Sequence, residues 1–204
     1  MRIAVFCGSS SGRRPEFLQA ATVLGQLLAQ QGIGIVYGGA SVGLMGAVAT
    51  AARQAGGEVI GVLPQSLMDR ELAHTGLSEL HIVETMHERK AKMSELADAF
   101  LALPGGIGTF EELFEVWTWG VLGYHRKPCA LLNVAGFYDG LVSFLDHVVE
   151  DEFLKPVYRN MLLVDESPEA LLKALLEYVP PAAPKWTDSE EKGSKPPFAE
   201  AAEG

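Results

Sequence analysis

The chain is poor in cysteine, in positive charge and in long apolar runs, and each shortage removes a class of function. Only two cysteines, Cys7 and Cys129, occur in 204 residues. Each sits in an apolar stretch, so both read as reduced core thiols of a cytosolic protein rather than as a disulfide framework. Lysine and arginine total 16 against 26 aspartates and glutamates, a formal net charge of −10. Phosphate backbones demand a concentrated cationic face, so a general nucleic-acid surface is not expected. A small anion needs only a few cations and backbone N–H groups, and remains open. No apolar run reaches the length of a membrane span, and the five-residue run after Met1-Arg2 is too short for a signal peptide, which predicts a cytoplasmic protein with no membrane partner. His74, His81, His87, His125 and His147 show no H-E-x-x-H or similar ligand spacing, so no metal is expected. Neither G-x-G-x-x-G nor G-x-x-x-x-G-K-[ST] occurs, which disfavours a dinucleotide cofactor and P-loop chemistry.

What is present is an alternation of short apolar runs with longer amphipathic segments. Residues 3–7, 33–37, 59–63, 100–103 and 130–134 read as buried strands separated by helices. This pattern predicts an α/β fold: a Rossmann-like doubly wound parallel sheet with helices on both faces, and ligands at the C-terminal strand ends. Residues 1–180 are expected to form a single domain. From Pro180 onward the composition turns to Pro, Glu, Lys, Ser and Ala, so residues 181–204 are expected to be a disordered tail.

Three of the strands run directly into glycine-rich turns: Gly8-Ser9-Ser10-Ser11-Gly12, Gly38-Gly39-Ala40-Ser41-Val42-Gly43 and Pro104-Gly105-Gly106-Ile107-Gly108-Thr109. Glycine lets backbone approach a ligand closely, and a following helix N-terminus favours a phosphate. One such turn is as readily a tight connection; three at one sheet edge favour a nucleotide. After Glu84, Thr85 and Glu88 form a capping box, and Met86, Met93, Leu96 and Ala97 mark an apolar stripe. Arg89 and Lys90 fill its gap, which points two cations inward, where each must meet a protein carboxylate or a bound phosphate. The third glycine turn continues into a helix with Phe110, Leu113, Phe114 and Trp117 as its core-facing stripe. Thr109 and Glu112 fit a second capping box, which leaves Glu112 either a helix cap or a catalytic carboxylate. Cys7, beside Gly8, is either a core thiol or a nucleophile.

The stretch Pro104-Gly105-Gly106-Ile107-Gly108-Thr109-Phe110-Glu111-Glu112 matches the signature P-G-G-x-G-T-x-x-E, with Met86-His87-Glu88-Arg89-Lys90 as its upstream companion. On these motifs the sequence resembles the lonely-guy family over about residues 1–180. The resemblance implies a phosphoribohydrolase, a hydrolase that activates cytokinins by cleaving cytokinin riboside 5′-monophosphates to free base and ribose 5-phosphate, with AMP often accepted as by an AMP nucleosidase. Carried over by position, Arg89 and Glu112 are the implied catalytic pair. Nucleotide contacts fall on Glu71, Arg89, Lys90, Gly106, Ile107, Gly108, Thr109, Phe110, Glu111, Glu112 and Thr118. Gly8, Ser9, Gly38, Gly39 and Gly105 join them as substrate-binding candidates from the turns. No cofactor is implied, and a homodimer with the nucleotide near the subunit interface is. N-glycoside cleavage passes through an oxocarbenium-like state at C1′. Glu112 would stabilise that cation or activate water, and Arg89 would orient the ribose or neutralise the departing base. Two rivals remain: a nucleotide or phosphorylated-cofactor carrier without turnover, and a decarboxylase using pyridoxal phosphate on a lysine.

Overall fold

The computed structural model describes residues 1–68 and 73–181. From the N-terminus the chain alternates β1 (Arg2–Phe6), α1 (Pro15–Gln30), β2 (Gly34–Tyr37), α2 (Gly43–Gln54), β3 (Val59–Pro64) and the single turn α3 (Gln65–Met68). It continues through β4 (Glu79–Val83), α4 (Met86–Leu96), β5 (Ala99–Ala102), α5 (Ile107–Leu122), β6 (Cys129–Leu132), α6 (Asp139–Glu150), the short α7 (Pro156–Arg159), β7 (Leu162–Asp165) and α8 (Pro168–Leu176). The expected tail lies outside the described residues except for its first position. Among the described residues, no helix is long and apolar enough to cross a membrane.

The strands form one seven-stranded sheet in the order β4-β3-β2-β1-β5-β6-β7, and every pairing is parallel. The expected doubly wound architecture is therefore present. All five expected strands form, and two more, β4 and β7, close the sheet edges. Central strands are buried on both faces and read as continuous apolar runs, whereas β4 has only half-buried and exposed positions and carries a weaker signal.

Alternation along β1 divides the core. Ile3 and Val5 join Ile35 and Leu101 in the layer roofed by α1, α2 and α8. Ala4 and Phe6 face the other way, joining Val36, Val62 and Phe100 in the layer under α4 and α5. Because β2 lies on one side of β1 and β5 on the other, the chain leaves these neighbouring strands in diverging directions. A crevice opens at their C-terminal ends, where open α/β sheets place ligands. The first and third glycine turns both start there.

Candidate active site

The two turns are tied together by backbone. Leu103 N–H donates to the Phe6 carbonyl (2.9 Å), and Gly8 N–H donates to the Pro104 carbonyl (3.1 Å). A Cβ on Gly105 would fall 2.1 Å from Thr109 Oγ1 and 2.9 Å from Gly8 N, so only glycine permits this approach. At Gly106 and Gly108 a Cβ would meet open space. Gly106 is the N-cap of α5 and no side chain caps it. The first-turn N–H groups of α5 therefore lack intrahelical acceptors and favour an anion at the turn.

This start corrects the second capping box. α5 begins at Ile107, ahead of Thr109, so Thr109 and Glu112 lie inside the helix and face the core. The buried stripe is rotated accordingly: Thr109, Glu112, Leu113, Val116 and Trp117 are buried, while Phe110 and Phe114 are only half-buried. As a helix cap, Glu112 is ruled out by position.

The capping box of α4 forms. Glu88 N–H donates to Thr85 Oγ1 (3.1 Å), and the Glu88 carboxylate returns to Glu84 N–H (2.9 Å). It orients a first turn from which Arg89 and Lys90 point inward, 8% and 6% exposed. Met86, expected on the buried stripe, is instead 44% exposed at the helix start. Arg89 reaches over the strand ends, with Nε donating to the Val62 carbonyl (3.1 Å) and Nη2 to that of Gly38 (3.3 Å). A Cβ on Gly38 would lie 1.9 Å from Nη2, which explains the glycine. The third nitrogen, Nη1, stands 3.7 Å from Glu112 Oε1. Lys90 is held by protein carboxylates, hydrogen-bonded to Glu111 and 2.9 Å from Glu115 Oε2.

Burial dominates the electrostatics of Glu112. Loss of water pushes its pKa from the ordinary 4.5 up to about 7, although Arg89 pulls the other way. Lys90 moves up: burial opposes its charge, but Glu111 and Glu115 outweigh it. The Cys7 thiol is pushed up by burial and by Glu112, which removes the nucleophile reading.

The remaining candidates are unevenly placed. Gly8 stands beside Gly105, while the exposed Ser9 packs its backbone against Gly43 at the start of α2. Gly39 is buried and turned toward β3, its carbonyl accepting from His74 N–H (3.0 Å). Ile107 is 86% exposed at the mouth of the turn. Phe110 packs edge-on against Tyr138 (6.2 Å between ring centroids). Thr118 lies exposed on α5, six residues beyond Glu112, about 9 Å along the axis and on another face. Glu71 lies outside the described residues. Tyr138, outside every sequence motif above, is buried against the turn, its hydroxyl donating to the Leu103 carbonyl (2.7 Å). A lone tyrosine after a strand carries no spacing signal that identifies such a contact.

Residues 45–175 match the family model described as "Possible lysine decarboxylase". A cytokinin riboside 5′-monophosphate phosphoribohydrolase of Arabidopsis thaliana is 49% identical over 179 residues, covering 88% of this chain and 82% of its own. One from Oryza sativa subsp. japonica is 50% identical over 179 residues, covering 88% and 74%. Among solved structures, a molybdenum cofactor binding protein from Rippkaea orientalis has a TM-score of 0.65 at 25% identity, over 86% of this chain and 96% of that one. The molybdenum cofactor carrier protein of Chlamydomonas reinhardtii has a TM-score of 0.66 at 22% identity, over 87% and 98%, a likeness of fold.

Proposed function

Because the chain belongs to the lonely-guy family of phosphoribohydrolases, we propose that it hydrolyses the N-glycosidic bond of a nucleoside 5′-monophosphate, a cytokinin riboside 5′-monophosphate or AMP, to free base and ribose 5-phosphate. The observation that carries this reading is the buried Arg89–Glu112 pair, which sits at the switch-point crevice beside an uncapped helix N-terminus. A carboxyl poised at about 7 is matched to proton transfer at neutral pH. Glu112 in its ionised form takes the proton from water as the water oxygen bonds to C1′. The C1′–N bond breaks and its electron pair leaves on the base, which then takes up a proton. Arg89, fixed by two strand-end carbonyls, offsets negative charge on Glu112 and on the departing base. The amides from Gly105 to Thr109 receive the 5′-phosphate, so that binding energy far from C1′ orients the sugar.

Lys90 serves this site by holding Glu111 and Glu115 rather than by meeting phosphate directly. The same contacts oppose the decarboxylase that the family description names, because an amine must be neutral to form a Schiff base and these carboxylates keep Lys90 charged. Thr118 is exposed on another face of α5 from Glu112, which supports reading its implied nucleotide contact as one made across a homodimer interface. Two buried free thiols fit a cytoplasmic location.

Incubation of the pure protein with AMP, followed by assay of adenine and ribose 5-phosphate, tests the reading. The fold likeness to molybdenum cofactor binding proteins gives the carrier alternative its support, and AMP binding without base release would favour it.

A further inference from the structure

We propose that Tyr138 is a positioning residue for the phosphate end of the substrate, acting through the Leu103 carbonyl on the glycine turn; this rests on the hydrolase reading above. At the end of β5 the chain leaves the sheet, and the Leu103 carbonyl is a buried acceptor just before Pro104. The Tyr138 hydroxyl takes it at 2.7 Å. On the opposite side of the turn, Gly8 N–H takes the Pro104 carbonyl. The peptide planes entering Gly105 are thus gripped from two directions, and because a peptide unit is planar the Gly105 N–H must point opposite to the Pro104 carbonyl.

Tyr138 is itself held at several points. Its N–H donates to Asn133 Oδ1 (2.7 Å), and Asn133 Nδ2 donates to Asp139 Oδ1 (2.7 Å). Asn133 N–H donates to the Asp165 carbonyl at the end of β7 (2.8 Å). The ring is flanked edge-on by Phe137 (4.9 Å) and Phe110 (6.2 Å). Ring packing alone is met equally by phenylalanine; the hydroxyl adds control of a carbonyl one residue from the phosphate-binding amides.

The test is Tyr138→Phe, which keeps the ring. We expect its kcat/KM for AMP to fall roughly tenfold, mostly through KM, and its affinity for ribose 5-phosphate by calorimetry to fall by a similar factor. Base release from adenosine, which lacks the phosphate, should change less than about twofold. Both substrates are read on the same preparation, so loss of folded protein cancels from the ratio. Equal losses on AMP and adenosine, or unchanged ribose 5-phosphate affinity, would overturn the proposal. A wild-type protein that binds ribose 5-phosphate but releases no adenine would defeat the hydrolase reading instead, and the calorimetric comparison would still judge Tyr138.

Discussion

Glu112 and its neighbours separate stability from chemistry. Its folded pKa, about 7, lies above the ordinary 4.5, so the folded state holds a proton that the unfolded state releases across that window. Stability contributed by this group is therefore full below about pH 4.5 and declines as pH rises through about 7. Glu112→Gln should flatten that part of a Tm-against-pH curve; an unchanged slope would show that Glu112 titrates normally. Arg89→Lys retains charge but loses the planar grip on the Val62 and Gly38 carbonyls, and kcat should fall by at least roughly tenfold. Glu115 lies outside the family signature. In the fold it partners a buried lysine, so Glu115→Gln should cost about 1–3 kcal/mol by denaturant melt while kcat of the folded enzyme stays within about threefold.

The start of α5 ties helix chemistry to ligand chemistry. Gly105→Ala forces a Cβ into Thr109 and the Gly8 turn, and should lower both Tm and activity. Gly108→Ala meets open space inside a helix, where alanine is favoured by about 1 kcal/mol. It should raise Tm yet lower kcat/KM for AMP, because the added methyl crowds the amides that receive phosphate; unchanged kcat/KM would move the phosphate elsewhere. Much of this was legible beforehand. Central strands declare themselves by continuous apolar runs, and Arg89 and Lys90 by breaking an apolar stripe. The edge strands β4 and β7 did not, because an edge strand needs less apolar surface. The α5 register differs from the sequence expectation because Thr109 and Glu112 fit a capping box by spacing alone, and spacing cannot reveal that backbone at Gly106 begins the helix. The carboxylates that hold Lys90 were equally hidden, since that contact joins two helices, α4 and α5, that the sheet brings side by side on one face.

The protein as a unit is expected to work as a dimer with sites completed in trans. Two variants that are each inactive, Glu112→Gln and Thr118→Arg, should regain up to roughly a quarter of wild-type activity when refolded together, because in a mixed dimer one site carries both defects and the other none. No recovery would place Thr118 outside the partner's site. The most direct measurement of the central claim is release of adenine and ribose 5-phosphate from AMP as a function of pH, wild type beside Glu112→Gln. The expected result is a wild-type kcat/KM that rises to a plateau with a midpoint near 7, the pKa to which burial pushes Glu112. In the variant that limb should vanish and kcat should fall by roughly 10²–10⁴ with AMP still bound. Wild-type protein that binds AMP without releasing adenine, or a Glu112→Gln enzyme with near-normal kcat, would contradict it.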